Sequence, residues 1–291
     1  MTKGRIIKAL SGFYYVKSGV DIYQCRGRGV FRKKKINPLV GDFVTFDISN
    51  PGEGYISTIE TRKNELIRPP IANIDQAVIL SSATMPDFSP LLLDRFLVLI
   101  ESKDIEPIIF ISKMDVISED LNKNIEKYQQ DYKAIGYQVE LISTKKELNH
   151  LDSYFSDHVS VIAGQSGVGK SSLLNALKPS LLLKTDDISK SLGRGKHTTR
   201  HVELIEVSNG LVADTPGFSS LDFNEIELEE LADCFPEMRE RKENCKFRGC
   251  MHNKEPKCAV KQAVEEGEIA SYRYEHYLSF YTEIQTRKPR Y

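Results

Sequence analysis

The sequence predicts a multidomain chain. A small N-terminal β-barrel of the OB type precedes a central α/β domain, and a helical metal-binding module closes the chain. Three observations carry this reading. Residues 1–68 hold several short aromatic and β-branched stretches separated by turns. From Ile74 strand-like and helix-like segments alternate around a glycine-rich loop, Gly164-Gln165-Ser166-Gly167-Val168-Gly169-Lys170-Ser171. Near the end, Cys245, Cys250, His252 and Cys258 crowd into fourteen residues.

At 291 residues the chain has room for two or three domains. With 40% hydrophobic and 28% charged residues it has an ordinary globular composition. No apolar run approaches the roughly 20 residues of a membrane span, and the first residues lack the apolar core of a signal peptide. A cytoplasmic protein with no membrane partner is expected. The formal net charge of −1 hides an asymmetry, since residues 1–68 carry thirteen Lys/Arg against six Asp/Glu. A net of +7 there points to an anionic partner for the N-terminal part.

In residues 1–68, Gly12–Val16, Val20–Cys25, Gly41–Phe46 and Tyr55–Ile59 read as strands. Several short strands in so small a segment suggest an OB-fold. Arg26, Arg28, Arg32, Lys33, Lys34 and Lys35, interleaved with glycines and Phe31, suit RNA. Pro69-Pro70 reads as a linker to a central domain over 69–222, followed by a zinc-binding helical domain over 223–291.

In the central domain Ile74–Ser81, Pro107–Ile111, Tyr137–Ile142 and Val159–Ala163 read as strands. Ser89 with Pro90 and Ser118 with Glu119-Asp120 are helix starts, and Gly136 is a stop. Alternation of this kind implies a mostly parallel sheet whose ligands sit at the carboxyl ends of its strands. Thr185–Arg200 is a long polar stretch, and such a loop is usually functional. His201–Val207, an Asn209-Gly210 turn and Leu211–Ala213 read as a hairpin leading to Asp214-Thr215-Pro216-Gly217. Helical stretches are expected over Glu225–Asp233, Ala259–Glu266 and Ile269–Arg287.

The glycine-rich loop is G-x-x-x-x-G-K-S between a strand and a helix that opens at Ser172, the context a phosphate-binding loop needs. Its glycines let backbone N–H groups curl around an anion, and the helix N-terminus adds its positive end. Lys170 should reach the β- and γ-phosphates and Ser171 should ligate Mg²⁺. Ser112-Lys113-Met114-Asp115 follows a strand, where N/T-K-x-D stands in GTPases. The Asp115 carboxylate can accept from guanine N1 and N2, a pairing adenine does not offer, and Lys113 can lie along the base. Ser143-Thr144 stands where a backbone N–H meets guanine O6. In Asp214-x-x-Gly217, Asp214 helps hold the Mg²⁺ shell and the Gly217 N–H senses the γ-phosphate.

The base-recognition motifs here precede the phosphate loop, whereas in most GTPases they follow it. A circular permutation accounts for the order. With the basic OB-like start, Gly193–Arg200, Asp214–Phe218 and C-x₄-C-x-H-x₅-C, the chain resembles the family of bacterial ribosome small-subunit-dependent GTPase A over its whole length. The resemblance implies a GTP-hydrolysing factor that acts in assembly of the small (30S) ribosomal subunit through its 16S rRNA, stimulated by that subunit. GTP and GDP are its ligands, guanine alarmones fit the same pocket, and the chain is expected to be a monomer. Two positions depart from the family pattern: Ser112 replaces a usual Asn and Thr144 a common Ala.

Phe218 stands where many GTPases place a water-orienting Gln, so another group must do that work. His197 is the candidate, beside Thr198-Thr199, and the resemblance points to it too. Thr199, or Thr198 one residue away, should close over Mg²⁺. Cys245, Cys250, His252 and Cys258 form a Cys₃His set for one structural Zn²⁺ with no open coordination position. Cys25 and Cys234 read as ordinary small apolar residues. A competing reading is an RNA-binding scaffold whose nucleotide site only gates binding. An ATPase is disfavoured by Asp115.

Overall fold

The computed structural model describes residues 1–29, 31, 36–143, 148–181, 202–214 and 221–287, with only the backbone of Asn149 and Asp214. Its strands are β1 Thr2–Leu10, β2 Phe13–Ser18, β3 Asp21–Gly27, β4 Phe43–Asn50, β5 Glu53–Ile59, β6 Glu65–Leu66, β7 Ile71–Ala72, β8 Gln76–Ser82, β9 Glu106–Ser112, β10 Gln138–Leu141, β11 Val159–Ala163, β12 Val202–Val207 and β13 Gly210–Asp214. Its helices are α1 Pro90–Glu101, α2 Glu119–Ala134, α3 Asp152–Phe155, α4 Lys170–Leu177, α5 Pro236–Arg239, α6 Ala259–Glu265 and α7 Ser271–Thr286. The chain divides into two compact units, Met1–Leu80 with Ser143–Ser219, and Ser81–Ile142 with Ser220–Tyr291.

In the first unit, β1, β2, β3, β5 and β4 pair in that order and β4 returns to β1, which closes a five-stranded barrel. Alternation along each strand sends Ile6, Val16, Cys25, Val44, Phe46 and Ile56 inward, all buried. Burial pushes the Cys25 thiol up to about 11, so it stays a neutral apolar filler. The expected strands are present, but β1 was not among them, and it is the most connected. One edge of β1 pairs with β2. The other is shared, Thr2–Arg5 with β4 and Lys8–Ala9 with β12. Lys8 also reaches Glu203 at 2.7 Å.

Pro69-Pro70, expected as a linker, instead lies in the turn of the small β6–β7 hairpin. That hairpin packs down, with Leu66, Ile71 and Ala72 buried and Ala72 N–H donating to the Val40 carbonyl at 2.9 Å. Beyond it β8, β11 and β13 run parallel and β12 is antiparallel to β13. β11 is buried on both faces, which its unbroken Val-Ser-Val-Ile-Ala run anticipates. The β12–β13 turn is centred on Ser208 and Asn209, both with positive φ (48° and 64°). Gly210 begins β13 rather than sitting in the turn.

In the second unit β9 and β10 are parallel, flanked by α1 and α2. Ser89 caps α1 by accepting from Leu92 N–H, and Ser118 caps α2 by accepting from Leu121 N–H, as their positions before Pro90 and Glu119 predict. Leu93, Phe96, Leu97 and Ile100 form the buried face of α1. The expected helix over Glu225–Asp233 is a 3₁₀ helix over Leu228–Cys234, closed by reciprocal bonds between Glu227 and Glu230. It joins α6 and α7 around a core of Phe223, Leu231, Phe235, Met238, Tyr277 and Phe280. Cys234 belongs to this core and its thiol is pushed up to about 12, chiefly by burial.

Candidate functional site

In the first unit, β11 ends at Ala163 and the chain turns through Gly164–Gly169 into α4. Gly164 has φ 141°, and a Cβ there would lie 2.2 Å from the Leu80 carbonyl oxygen. Only glycine lets the loop leave the sheet this close to β8. Gly169 caps α4 in the left-handed region, φ 101° and ψ 21°. Gln165, Ser166 and Gly167 are exposed, while Val168 is buried and anchors the loop. Lys170 Nζ donates to the carbonyls of Gly164 and Gln165, each at 2.8 Å. Burial pushes its ammonium pKa down. Ser171 is buried beneath the loop and Ser172 is half-buried. The result is a loop of backbone donors at a helix N-terminus with a cation folded over it, an arrangement built for phosphate.

Ser143 belongs to the same unit and is buried; Thr144 lies outside the described residues. Asp214 ends β13, its backbone paired with Glu203. His197, Thr198, Thr199, Gly217 and Phe218 lie outside the described residues.

Ser112, Lys113 and Asp115 lie in the second unit, at the carboxyl end of β9. Ser112 is buried, with Oγ donating to the Ser81 carbonyl at 3.1 Å and its own carbonyl accepting from Ala83 N–H at 3.0 Å. Lys113 takes a left-handed backbone (φ 64°) and its ammonium donates to the Met85 carbonyl. Asp115 is exposed within the 3₁₀ turn Met114–Val116, which Met114 N–H ties to the Ile142 carbonyl at 3.3 Å.

A second candidate site gathers the cysteine cluster. The ligand atoms of Cys245, Cys250, His252 and Cys258 all lie within 4.8 Å of one another. Cys245 Sγ is 3.6 Å from His252 Nδ1 and 3.9 Å from Cys258 Sγ, and His252 Nδ1 is 3.3 Å from Cys258 Sγ. Ligands about 2.3 Å from a tetrahedral centre stand roughly 3.8 Å apart, so the set fits one metal ion. Burial pushes His252 down, which favours the neutral imidazole that ligates. Burial also pushes the Cys250 thiol up to about 12, a shift that a bound cation reverses. The frame is fixed from outside, since the Tyr274 hydroxyl donates to the His252 carbonyl at 2.7 Å and that of Tyr277 to the Met251 carbonyl at 2.6 Å. Glu255 accepts from the N–H groups of Met251 and Asn253, each at 2.9 Å. The motif revealed the four ligands; the two tyrosines and Glu255 carry no comparable sequence signal.

Of the basic residues expected to meet RNA, Arg26 and Arg28 are exposed on the barrel. Arg26 lies 4.7 Å over the Phe13 ring, and Arg28 is held by Asp47 at 2.6 Å. Arg32, Lys33, Lys34 and Lys35 lie outside the described residues. Among the described residues no helix is long and apolar enough to cross a membrane.

A phosphate loop following a buried parallel strand, with the guanine-type motif earlier in the chain, defines a phosphate-loop GTPase domain in permuted order. A family model described as RsgA GTPase matches residues 59–224, and one described as RsgA N-terminal domain matches residues 3–56. The chain belongs to the RsgA GTPase family. An Oceanobacillus iheyensis protein described as small ribosomal subunit biogenesis GTPase RsgA 2 is 67% identical, with 100% of both chains covered. The Bacillus subtilis small ribosomal subunit biogenesis GTPase RsgA is 61% identical, again over 100% of both. Among solved structures, YloQ, described as a circularly permuted GTPase, has 56% identity and a TM-score of 0.87, covering 100% of this chain and 97% of its own. YjeQ from Thermotoga maritima has 36% identity and a TM-score of 0.88, with 99% of each chain covered.

Proposed function

We propose that this chain hydrolyses GTP and acts in late maturation of the small ribosomal subunit. The observation that carries the reading is the phosphate loop, with Lys170 folded over its carbonyls at 2.8 Å, in a chain that matches small-subunit biogenesis GTPases end to end. Lys170, the loop backbone from Gly164 to Gly169 and Ser172 would cradle the phosphates. Ser171, Asp214 and Thr199 would hold Mg²⁺, which neutralises charge developing on the phosphates. Asp115, Lys113, Ser143 and Thr144 would select guanine, with Ser112 bracing the end of β9. His197 would orient the attacking water and Gly217 N–H would sense the γ-phosphate.

In this reading the residues divide as an RNA-binding barrel over 1–68, the GTPase core over 69–222 and a zinc-binding helical domain over 223–291. The Cys₃His set would hold one structural Zn²⁺. Arg26, Arg28 and Arg32–Lys35 would meet 16S rRNA on the 30S subunit. The chain would work as a cytoplasmic monomer, and guanine alarmones would compete with GDP for the same site.

The test is turnover of GTP and of ATP, with and without purified small subunits. GTP alone should be hydrolysed, faster when subunits are added. Equal use of ATP would remove the guanine assignment, and GTP turnover unmoved by subunits would remove the ribosomal one.

A further inference from the structure

A pocket of about 800 Å³ lies in the first unit, between strands β1, β2 and β4 of the barrel and the β12–β13 turn. No residue of the phosphate loop lines it. Its volume is that of a small-molecule site. Two kinds of wall meet there. Ile7, Phe43 and Leu211 supply apolar surface, and Phe43 is 41% exposed. Arg5, Lys17 and Lys178 bring three positive charges against one carboxylate, Glu206.

Cationic side chains in this pocket outnumber carboxylates. Lys17 is ion-paired with Glu206. Lys178 Nζ donates to the Glu206 backbone carbonyl at 2.8 Å, which engages one of its three protons. The Arg5 guanidinium lies 4.2 Å from the Phe43 ring centroid, and its Nε is buried with no hydrogen-bond partner among the described residues. A buried donor without an acceptor is costly and calls for an explanation. Burial pushes the Arg5 pKa down, opposed by the field of Asp75. The fold therefore holds a cation whose buried Nε has no acceptor among the described residues, beside an exposed aromatic residue.

We propose that this pocket binds a nucleotide unit, with its phosphate between Arg5 and Lys178 and its base against Phe43 and Ile7. Arginine and lysine together match a phosphate, which accepts several charge-assisted hydrogen bonds at once. The adjoining aromatic wall offers what a base stacks on and a bare anion cannot use. The nucleotide unit can be free or part of a single-stranded RNA, since both present the same chemistry. Its binding does not rest on GTP turnover.

The experiment uses the full chain with isoleucine, leucine and valine methyls labelled for NMR, loaded with one equivalent of GDP to fill the phosphate loop. It is titrated separately with AMP, with a hexa-adenylate RNA and with inorganic phosphate. Methyl signals of Ile7, Val207 and Leu211 should shift with AMP, RNA or both. Lys178→Glu should weaken the response about tenfold or more by inverting a phosphate-contacting charge. Phe43→Ala, at an exposed ring, should reduce AMP affinity to that of phosphate. Lys123→Glu, on α2 in the other unit, should change nothing. A response to AMP assigns free nucleotide; a response to RNA alone assigns a strand. Silent methyls in all titrations, or the same response in Lys178→Glu, would overturn the site. Phosphate binding as tightly as AMP would overturn the nucleotide assignment.

Discussion

Arg273 Nη1 lies 2.5 Å from Asp94 Oδ1 while Arg273 Nε lies 2.8 Å from Glu237 Oε1, and all three side chains are at most 2% exposed. One guanidinium thus fastens α7 to both α1 and α5. The second oxygen of Asp94 meets His276 Nδ1 at 2.5 Å, and Tyr132 donates to the first at 2.6 Å. Desolvation works against the Arg273 charge, but the carboxylates of Asp94 and Glu237 overcome it and raise its pKa well above the usual value. The guanidinium also faces the Phe235 ring at 4.7 Å.

Arg273→Met should therefore destabilise the chain by roughly 3–5 kcal/mol, because two buried carboxylates lose their counterion. Urea unfolding followed by tyrosine fluorescence measures this. A loss below about 1 kcal/mol would mean that water or His276 compensates the acids.

Asp115→Asn should move nucleotide preference from guanine toward xanthine, since an amide can donate to the C2 oxygen of xanthine. Competition titration with GDP and XDP reads the change. Unaltered selectivity would remove Asp115 from base recognition. Lys170→Ala should abolish turnover by removing the charge over the phosphates, a loss of at least about 10²-fold.

His197→Ala should slow hydrolysis while leaving GTP affinity nearly unchanged, because water orientation matters mainly in the transition state. Single-turnover rates on small subunits, with a parallel binding curve, separate the two quantities. An undiminished rate would assign the water to another group, such as one supplied by RNA.

Cys250→Ser should lower the metal content below one ion per chain and reduce subunit-stimulated turnover more than basal turnover. The first part follows from the ligand spacing, within 4.8 Å for all four groups. The second follows from the order of the sequence, in which Gly217 precedes the Cys₃His module. Elemental analysis and paired rate measurements test both. Equal loss of the two rates would leave the metal a folding role alone.

Signals local in sequence were legible. The phosphate loop, the Ser89 and Ser118 caps and the Cys₃His set each occupy one short window, and each stands where its chemistry places it. What escaped depends on partners far along the chain. Thr2–Leu10 has no strong periodicity of its own, and its role comes from three partner strands. Asp94, Glu237 and Arg273 are buried together, and nothing local in the sequence shows that packing brings them into contact. Pro69-Pro70 carries the composition of a linker, yet its flanks pair as strands and bury Ile71. The Ser208-Asn209 turn was displaced by one residue because Asn-Gly is the stronger hairpin signal.

The double use of β1 has a consequence for synthesis on the ribosome. Its partners in the barrel follow within the first fifty residues, with Phe46 pairing to Thr2, but Lys8 waits for Glu203, 195 positions later. At about 5–20 residues per second, that is on the order of ten to forty seconds of translation. For the part of this interval that follows the completion of β5 at Ile59, a nascent chain can close its barrel yet carry an unmatched strand edge at Lys8-Ala9. Unmatched edges invite pairing with other chains, and a lysine is one of the residues that discourage it. Lys8 is thus suited to two successive tasks, guarding the edge while the chain is incomplete and binding Glu203 once β12 arrives.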